Sequence, residues 1–171
     1  MTLLLDTHVL LRAAGFPDRL PADVIESLED PHTELVYSAA SLWEVAIKSG
    51  LGRADFRIDP RLLRRGLLEN GYRELPITGA HAAAVDLLPR IHRDPFDRIL
   101  VAQAQIEGIT LVTMDEVVGR YPGPIRVVPN RGVGLTADAD SGLRRSVESA
   151  KTGGATHRHP LSGPAAPASR G

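Results

Sequence analysis

Cysteine is absent from the 171 residues. Its absence excludes disulfides, thiolate nucleophiles and cysteine-bound zinc or iron–sulfur centres. Aromatic residues make up only 4%, with a single tryptophan. No apolar run approaches the roughly 18 residues that a membrane span needs, so no membrane role is expected. The opening Met1-Thr2-Leu3-Leu4-Leu5-Asp6 has no basic start and reaches an acid too early for a secretory leader. A cytoplasmic protein is therefore expected. There is no strong charge of one sign either. The formal net charge is −1, which argues against a globally basic nucleic-acid clamp.

What is present looks like one globular domain with an appendage: 43% hydrophobic and 24% charged residues. The composition changes near Asn130. Residues 130–171 are mostly Gly, Ala, Ser and Pro and contain no aromatic residue. Such a stretch buries too little to offset its ordering entropy, so a disordered tail over 130–171 and a folded domain over 1–129 are expected. The tail carries six cations against three acids, or +3, which leaves −4 for the folded part of a chain whose total is −1. An acidic body suits a site that collects carboxylates around a cation. A basic tail reads first as a solvated segment and second as an RNA contact.

Along the body, an apolar run over Thr2–Asp6 reads as a buried strand, followed by a short helix over His8–Ala14. Further helices are expected over Pro21–Leu28, over Ser38–Ser49 ended by Gly50, and from Asp59-Pro60 to Asn70-Gly71. Others run from a Thr78 cap through Leu87, from Asp94-Pro95 to a stop at Gly108, and over Asp115–Arg120. Strands are expected at Glu34–Tyr37, Thr110–Thr113 and Ile125–Val128. Strands alternating with helices indicate an α/β domain with a mainly parallel sheet.

Ligands of such sheets sit outside the carboxyl ends of the strands. Asp6 and Asp115 each follow a strand at that edge, though each also suits the N-cap of the next element. Glu44 lies among apolar residues of a helix, where an i,i+4 ion pair with Lys48 is a sufficient structural account. Asp94 and Asp97 fit a capping arrangement around Pro95 and suit the positive end of the helix dipole. Three residues apart, they also share one helix face. Carboxylates gathered within about 4–6 Å raise one another's pKa values unless a cation sits between them. A hard divalent ion with oxygen ligands, Mg²⁺ or Mn²⁺, removes that repulsion, and such a site suits phosphodiester cleavage.

Four segments carry a family likeness: Leu3-Leu4-Leu5-Asp6-Thr7-His8-Val9-Leu10, Ser38-Ala39-Ala40-Ser41-Leu42-Trp43-Glu44-Val45-Ala46-Ile47-Lys48, His92-Arg93-Asp94-Pro95-Phe96-Asp97-Arg98 and Leu111-Val112-Thr113-Met114-Asp115-Glu116. Together, in that order, they resemble the PIN-domain ribonucleases, specifically VapC-type toxins of toxin–antitoxin modules. The resemblance covers residues 1–129. It implies a PIN-like α/β/α sandwich with a mainly parallel central sheet. It also implies an Mg²⁺- or Mn²⁺-dependent endoribonuclease that hydrolyses RNA, often tRNA or rRNA, with a metal-activated water. The family's four acids fall on Asp6, Glu44, Asp97 and Asp115, as catalytic residues and metal ligands. Asp94 matches an extra acid that supports the metal site. Thr7 and Thr113 match small hydroxyl positions beside it, or are plain cap and strand residues. The implied partners are a VapB-type antitoxin, RNA and a second copy in a homodimer. Many relatives carry an aromatic residue near Arg12, where this chain has arginine, and the tail lies beyond the usual family end.

His8 and His92 flank the acids but read more readily as structural. Lys48, Arg53, Arg93 and Arg98 are candidate rim contacts to phosphate, and Arg93 and Arg98 suit pairing with acids equally. Trp43 reads as core or dimer interface before it reads as a base-stacking platform. Three rivals stand beside the nuclease. An aspartyl-phosphate phosphatase needs an acid two residues after Asp6, where His8 stands. A receiver-like domain needs an acid pair that the Asp115 region does not offer. The last is a catalytically inactive PIN-like binding module.

Overall fold

The computed structural model describes residues 1–51 and 58–130. Apart from Asn130, the expected disordered tail lies outside the described residues, as does Arg53. Five strands alternate with six α-helices: β1 (Thr2–Leu5), α1 (Thr7–Gly15), α2 (Ala22–Glu29), β2 (Glu34–Ser38), α3 (Ala39–Gly50), α4 (Pro60–Glu69), β3 (Arg73–Leu75), α5 (Gly79–Leu87), α6 (Pro95–Glu107), β4 (Thr110–Thr113) and β5 (Ile125–Val127). The strand order is β3-β2-β1-β4-β5, and every pair is parallel. The expected α/β fold with a parallel sheet is observed.

Side chains alternate across β1. Leu3 and Leu5 enter one core with Val9 and Leu10 of α1, Val24 of α2, Val45 of α3, and Leu63 and Leu67 of α4. Leu4 enters the other, with Leu100, Val101 and Ala104 of α6 and Leu111 of β4. A central strand buried on both faces has no polar side, which is why Leu3-Leu4-Leu5 is continuously apolar. The result is a three-layer α/β/α sandwich.

Local chemistry sets the helix ends. Asp6, Ser38, Asp59, Thr78 and Asp94 each cap a helix through a side-chain oxygen. Pro60 and Pro95 occupy first-turn positions, where the missing N–H costs nothing. Gly108 closes α6 at φ 65°, a left-handed conformation that glycine adopts without strain.

The structure differs from the sequence reading in three elements. β3 was not expected: it is three residues long and begins Arg73-Glu74, which lacks apolar alternation. Pairing across the edge supports it, with Arg73 on Glu34 at 2.5 Å and the Tyr37 hydroxyl on Glu74 at 2.8 Å. A 3₁₀ turn over Pro17–Arg19 was also not expected. The helix expected over Asp115–Arg120 is only a 3₁₀ turn over Val118–Arg120. Asp115 Oδ1 accepts the N–H groups of Val117 and Val118, closing an Asx-type turn.

Two glycines test these backbone rules. Gly108→Ala is expected to cost about 1 kcal/mol, the left-handed penalty of an L-residue. Gly79 is exposed at the start of α5 with open space around it, so Gly79→Ala is expected to stabilise by about 0.5 kcal/mol. Urea denaturation of both variants measures the opposite signs.

Candidate functional site

The strand order reverses between β1 and β4, and the crevice outside their carboxyl ends is where open α/β sheets bind ligands. Asp6 follows β1 and Asp115 follows β4. The two strands are hydrogen-bonded neighbours, and the Asp6 N–H donates to the Val112 carbonyl at 3.0 Å. Asp6 is 4% exposed. Its Oδ1 accepts the Val9 N–H at 2.7 Å and its Oδ2 the Met114 N–H at 3.2 Å, so it ties α1 to the end of β4. Burial pushes the Asp6 carboxyl up; hydrogen bonds from Thr113, Val9 and Met114 and the nearby His8 pull against it.

α3 brings Glu44 to the same end. The Thr7 hydroxyl donates to Glu44 Oε2 at 2.6 Å and Lys48 Nζ donates to Oε1 at 2.5 Å. The ion pair expected on spacing is present, and Thr7 holds Glu44 while Asp6 is the cap of α1. Ser41, one turn before Glu44, buries a hydroxyl with no hydrogen-bond partner among the described residues. The N-terminus of α6 supplies the remaining acids. Asp94 caps it, accepting the Phe96 N–H at 2.8 Å. Asp97 faces the cluster. Burial, above all, pushes the Asp97 carboxyl up to about 7; the charge of His92 opposes this, while the charges of Asp94, Asp6 and Glu44 add to it. Asp6, Glu44, Asp94 and Asp97 therefore share one electrostatic environment.

His92 occupies a place that sequence reasoning treated as structural. Its Nε2 lies 3.2 Å from Asp115 Oδ2 and its Nδ1 lies 3.3 Å from Asp97 Oδ2. One ligand atom from each of His92, Asp97 and Asp115 falls within 4.8 Å of the others. Nδ1 also accepts the Asp94 N–H at 3.0 Å. That bond assigns the ring proton to Nε2, facing Asp115. With both ring nitrogens engaged, His92 stands beside the acids, and the carboxylate oxygens of Asp97 and Asp115 are the donors that fit a hard divalent ion.

The other sequence candidates divide. Among the described residues Arg98 pairs with no acid: its guanidinium donates to the carbonyls of Pro89, Val85 and Leu88 and to the Tyr121 hydroxyl. It is a brace for the loop between α5 and α6. Tyr121 completes that brace by accepting the His92 N–H at 2.9 Å. Trp43 is not core. It is 60% exposed and meets the Phe96 edge at 5.2 Å between ring centroids. Arg12, noted from the sequence only as a departure, is buried and donates to Asn130 Oδ1 at 2.7 Å. It lines a cavity of about 300 Å³ with His8, Met114, Asp115, Glu116 and Asn130. Its position one turn beyond His8, on the helix that Asp6 caps, was the available signal. For His92 the signal was the Asp94 cap two residues away.

The PIN domain family profile matches residues 3–124. The chain is 33% identical over 129 residues to Ribonuclease VapC22 of Mycobacterium tuberculosis, which covers 74% of this chain and 98% of that protein. In fold it is similar to the crystal structure of VapBC2 from Rickettsia felis bound to a DNA fragment from their promoter. That match has a TM-score of 0.57 and 14% identity, and covers 75% of this chain and 99% of the other.

The raised Asp97 pKa makes stability pH-dependent. Between its ordinary 3.8 and about 7, the native carboxyl holds a proton that the unfolded chain has lost, so stability falls as pH rises through that window. In metal-free buffer, Asp97→Asn is expected to remove about 2 kcal/mol of that fall, at about 1.4 kcal/mol per pKa unit discounted for partial exposure. Thermal melts of both proteins across the window measure it, and added Mg²⁺ or Mn²⁺ is expected to stabilise the parent most at its alkaline end.

Proposed function

Because the chain belongs to the PIN-domain family, we propose that it is a metal-dependent endoribonuclease, the toxin of a VapC-type toxin–antitoxin module. The observation that carries this reading is the convergence of Asp6, Glu44, Asp94 and Asp115 on Asp97 at the sheet's switch point, with His92 between Asp97 and Asp115. Residues 1–129 would be the nuclease domain and residues 130–171 its tail.

Asp97 and Asp115, with Asp6 and Glu44 directly or through water and Asp94 in support, would hold Mg²⁺ or Mn²⁺. A bound divalent ion supplies a polarised phosphoryl oxygen and a water of lowered pKa. The chain's own groups do the rest. His92 Nε2–H orients Asp115, as hydrogen bonds to liganding carboxylates generally do. Thr7 and Lys48 hold Glu44 in one position. Asp6 is locked by two backbone N–H groups, one on each oxygen. A carboxylate of this set accepts the proton that the attacking water loses. A VapB-type antitoxin and a second copy of the chain are the partners in this reading. It is supported by a stripe of exposed apolar residues, Trp43 and Ile47 on α3 and Leu51 at its C-terminal cap. Among the described residues, no helix is long and apolar enough to cross a membrane.

Asp6→Asn and Asp97→Asn are each expected to lower cleavage of tRNA or rRNA in Mg²⁺ by about 10²-fold or more, the scale of losing one positioned charged group. EDTA is expected to abolish cleavage, and Mn²⁺ or Mg²⁺ to restore it. Full activity in either variant sinks the assigned roles. RNA binding without cleavage in either metal leaves the inactive binding module.

A further inference from the structure

The loop that carries His92 has a second face. A cavity of about 610 Å³ opens there, lined by Asp86, Leu88, Arg90, His92, Arg93 and Arg98. Its volume lies within the roughly 300–1,000 Å³ of ordinary ligand pockets. Three guanidinium groups border it, against one carboxylate, on a folded body whose net charge is −4 when the tail's +3 is set against the total of −1. The three have different duties. Arg98 is committed to backbone carbonyls and to Tyr121. Arg90 and Arg93 are exposed, and neither pairs with a carboxylate among the described residues. His92 borders both this cavity and the acidic cluster. A polyanion lying across the cluster therefore reaches the cavity without leaving the surface.

We infer that this cavity is a phosphate subsite, in which Arg90 and Arg93 bind a backbone phosphate of RNA that flanks the one cleaved. The inference rests on the nuclease reading above. A planar guanidinium offers paired N–H donors to phosphate oxygens. A cluster of carboxylates repels the same phosphates, so a cationic hold beside it fixes the chain while the cluster acts on one bond. Arg98 takes no direct part. It keeps the loop at a fixed distance from α6, so Arg90 and Arg93 have a rigid footing. Asp86 opposes the phosphate and sets a limit on affinity.

The test measures binding of fluorescein-labelled bulk tRNA to the full chain in EDTA, over a series of salt concentrations. The double substitution Arg90→Ala/Arg93→Ala is expected to raise Kd about tenfold and to lower the slope of log Kd against log salt by about one to two, the loss of one counterion per contact. Arg90→Lys/Arg93→Lys is expected to restore most of the slope, because lysine keeps the charge but not the paired donors. Asp86→Asn is expected to tighten binding about twofold by removing the opposing charge. Both arginines are exposed, so the melting temperature is expected to stay unchanged. With Mg²⁺ added, the alanine pair raises KM for cleavage and leaves kcat near the parent value. An unchanged Kd and salt slope overturns the subsite, as does an effect confined to binding of a VapB-type antitoxin. A parent chain that binds the RNA but does not cleave it in Mg²⁺ overturns the nuclease reading alone. A parent chain that cleaves with an arginine-independent KM overturns the subsite alone, and absence of binding overturns both.

Discussion

Mutual repulsion among carboxylates at one end of a parallel sheet is the constraint around which this molecule is arranged. Burial disfavours the Asp97 charge most, and the charges of Asp94, Asp6 and Glu44 add to that effect. Like charges held in a partly dry crevice oppose folding unless each is fixed by a compensating donor. Those donors are built in one by one: backbone N–H groups for Asp6 and Asp115, a hydroxyl and an ammonium for Glu44, an imidazole N–H for Asp115. Asp97 has the thinnest support, and its carboxyl is the one raised to about 7. The unmet demand for positive charge is concentrated there.

Meeting that demand needs a rigid frame, which the two cores provide. β1 is buried on both faces, and its last residue delivers Asp6 to the crevice with little freedom. Asp6 also caps α1 and bonds the end of β4, so one side chain reports the position of three elements. A cap accepts a helix N–H on its oxygen, and a ligand offers an oxygen lone pair to a cation. Asp94 and Asp115 each keep Oδ1 on backbone N–H groups, and Asp6 has one backbone N–H on each oxygen. Capping therefore fixes the orientation from which the remaining lone pairs can act. The structural and functional accounts of these acids, which compete on sequence spacing alone, are compatible in the folded chain.

Much of this was legible from the residues because the punctuation is strong. Asp59-Pro60 and Asp94-Pro95 mark helix starts, Gly108 a helix end, and short apolar runs ending at Asp6 and before Asp115 mark strands. What was not legible depended on partners distant in the chain. β3 is an edge strand whose charged residues are satisfied by Glu34, Arg64 and Tyr37, none of them local. Trp43 lies in a mostly apolar helical segment, and periodicity alone does not show that its face is left uncovered. His92 gains its role from Asp115, 23 residues later, and Arg98 from carbonyls of a loop that no spacing rule connects to it.

That loop joins two kinds of work. Arg98 fixes it by holding three of its carbonyls or those of the helix before it, and Tyr121 fixes it by accepting the His92 N–H. His92 then faces the acids on one side and a cationic cavity on the other. Any force that moves the loop moves both together. Without the brace, the distance between a phosphate held by Arg90 or Arg93 and the carboxylates would vary with every loop fluctuation. A misplacement of about 1 Å is enough to cost two orders of magnitude in a positioned reaction. With the brace, that distance is set by a guanidinium embedded among carbonyls, whose geometry does not depend on pH because arginine stays charged. In the proposed reading, substrate placement and carboxylate orientation therefore share one mechanical support, and that support lies outside the acids that define the site.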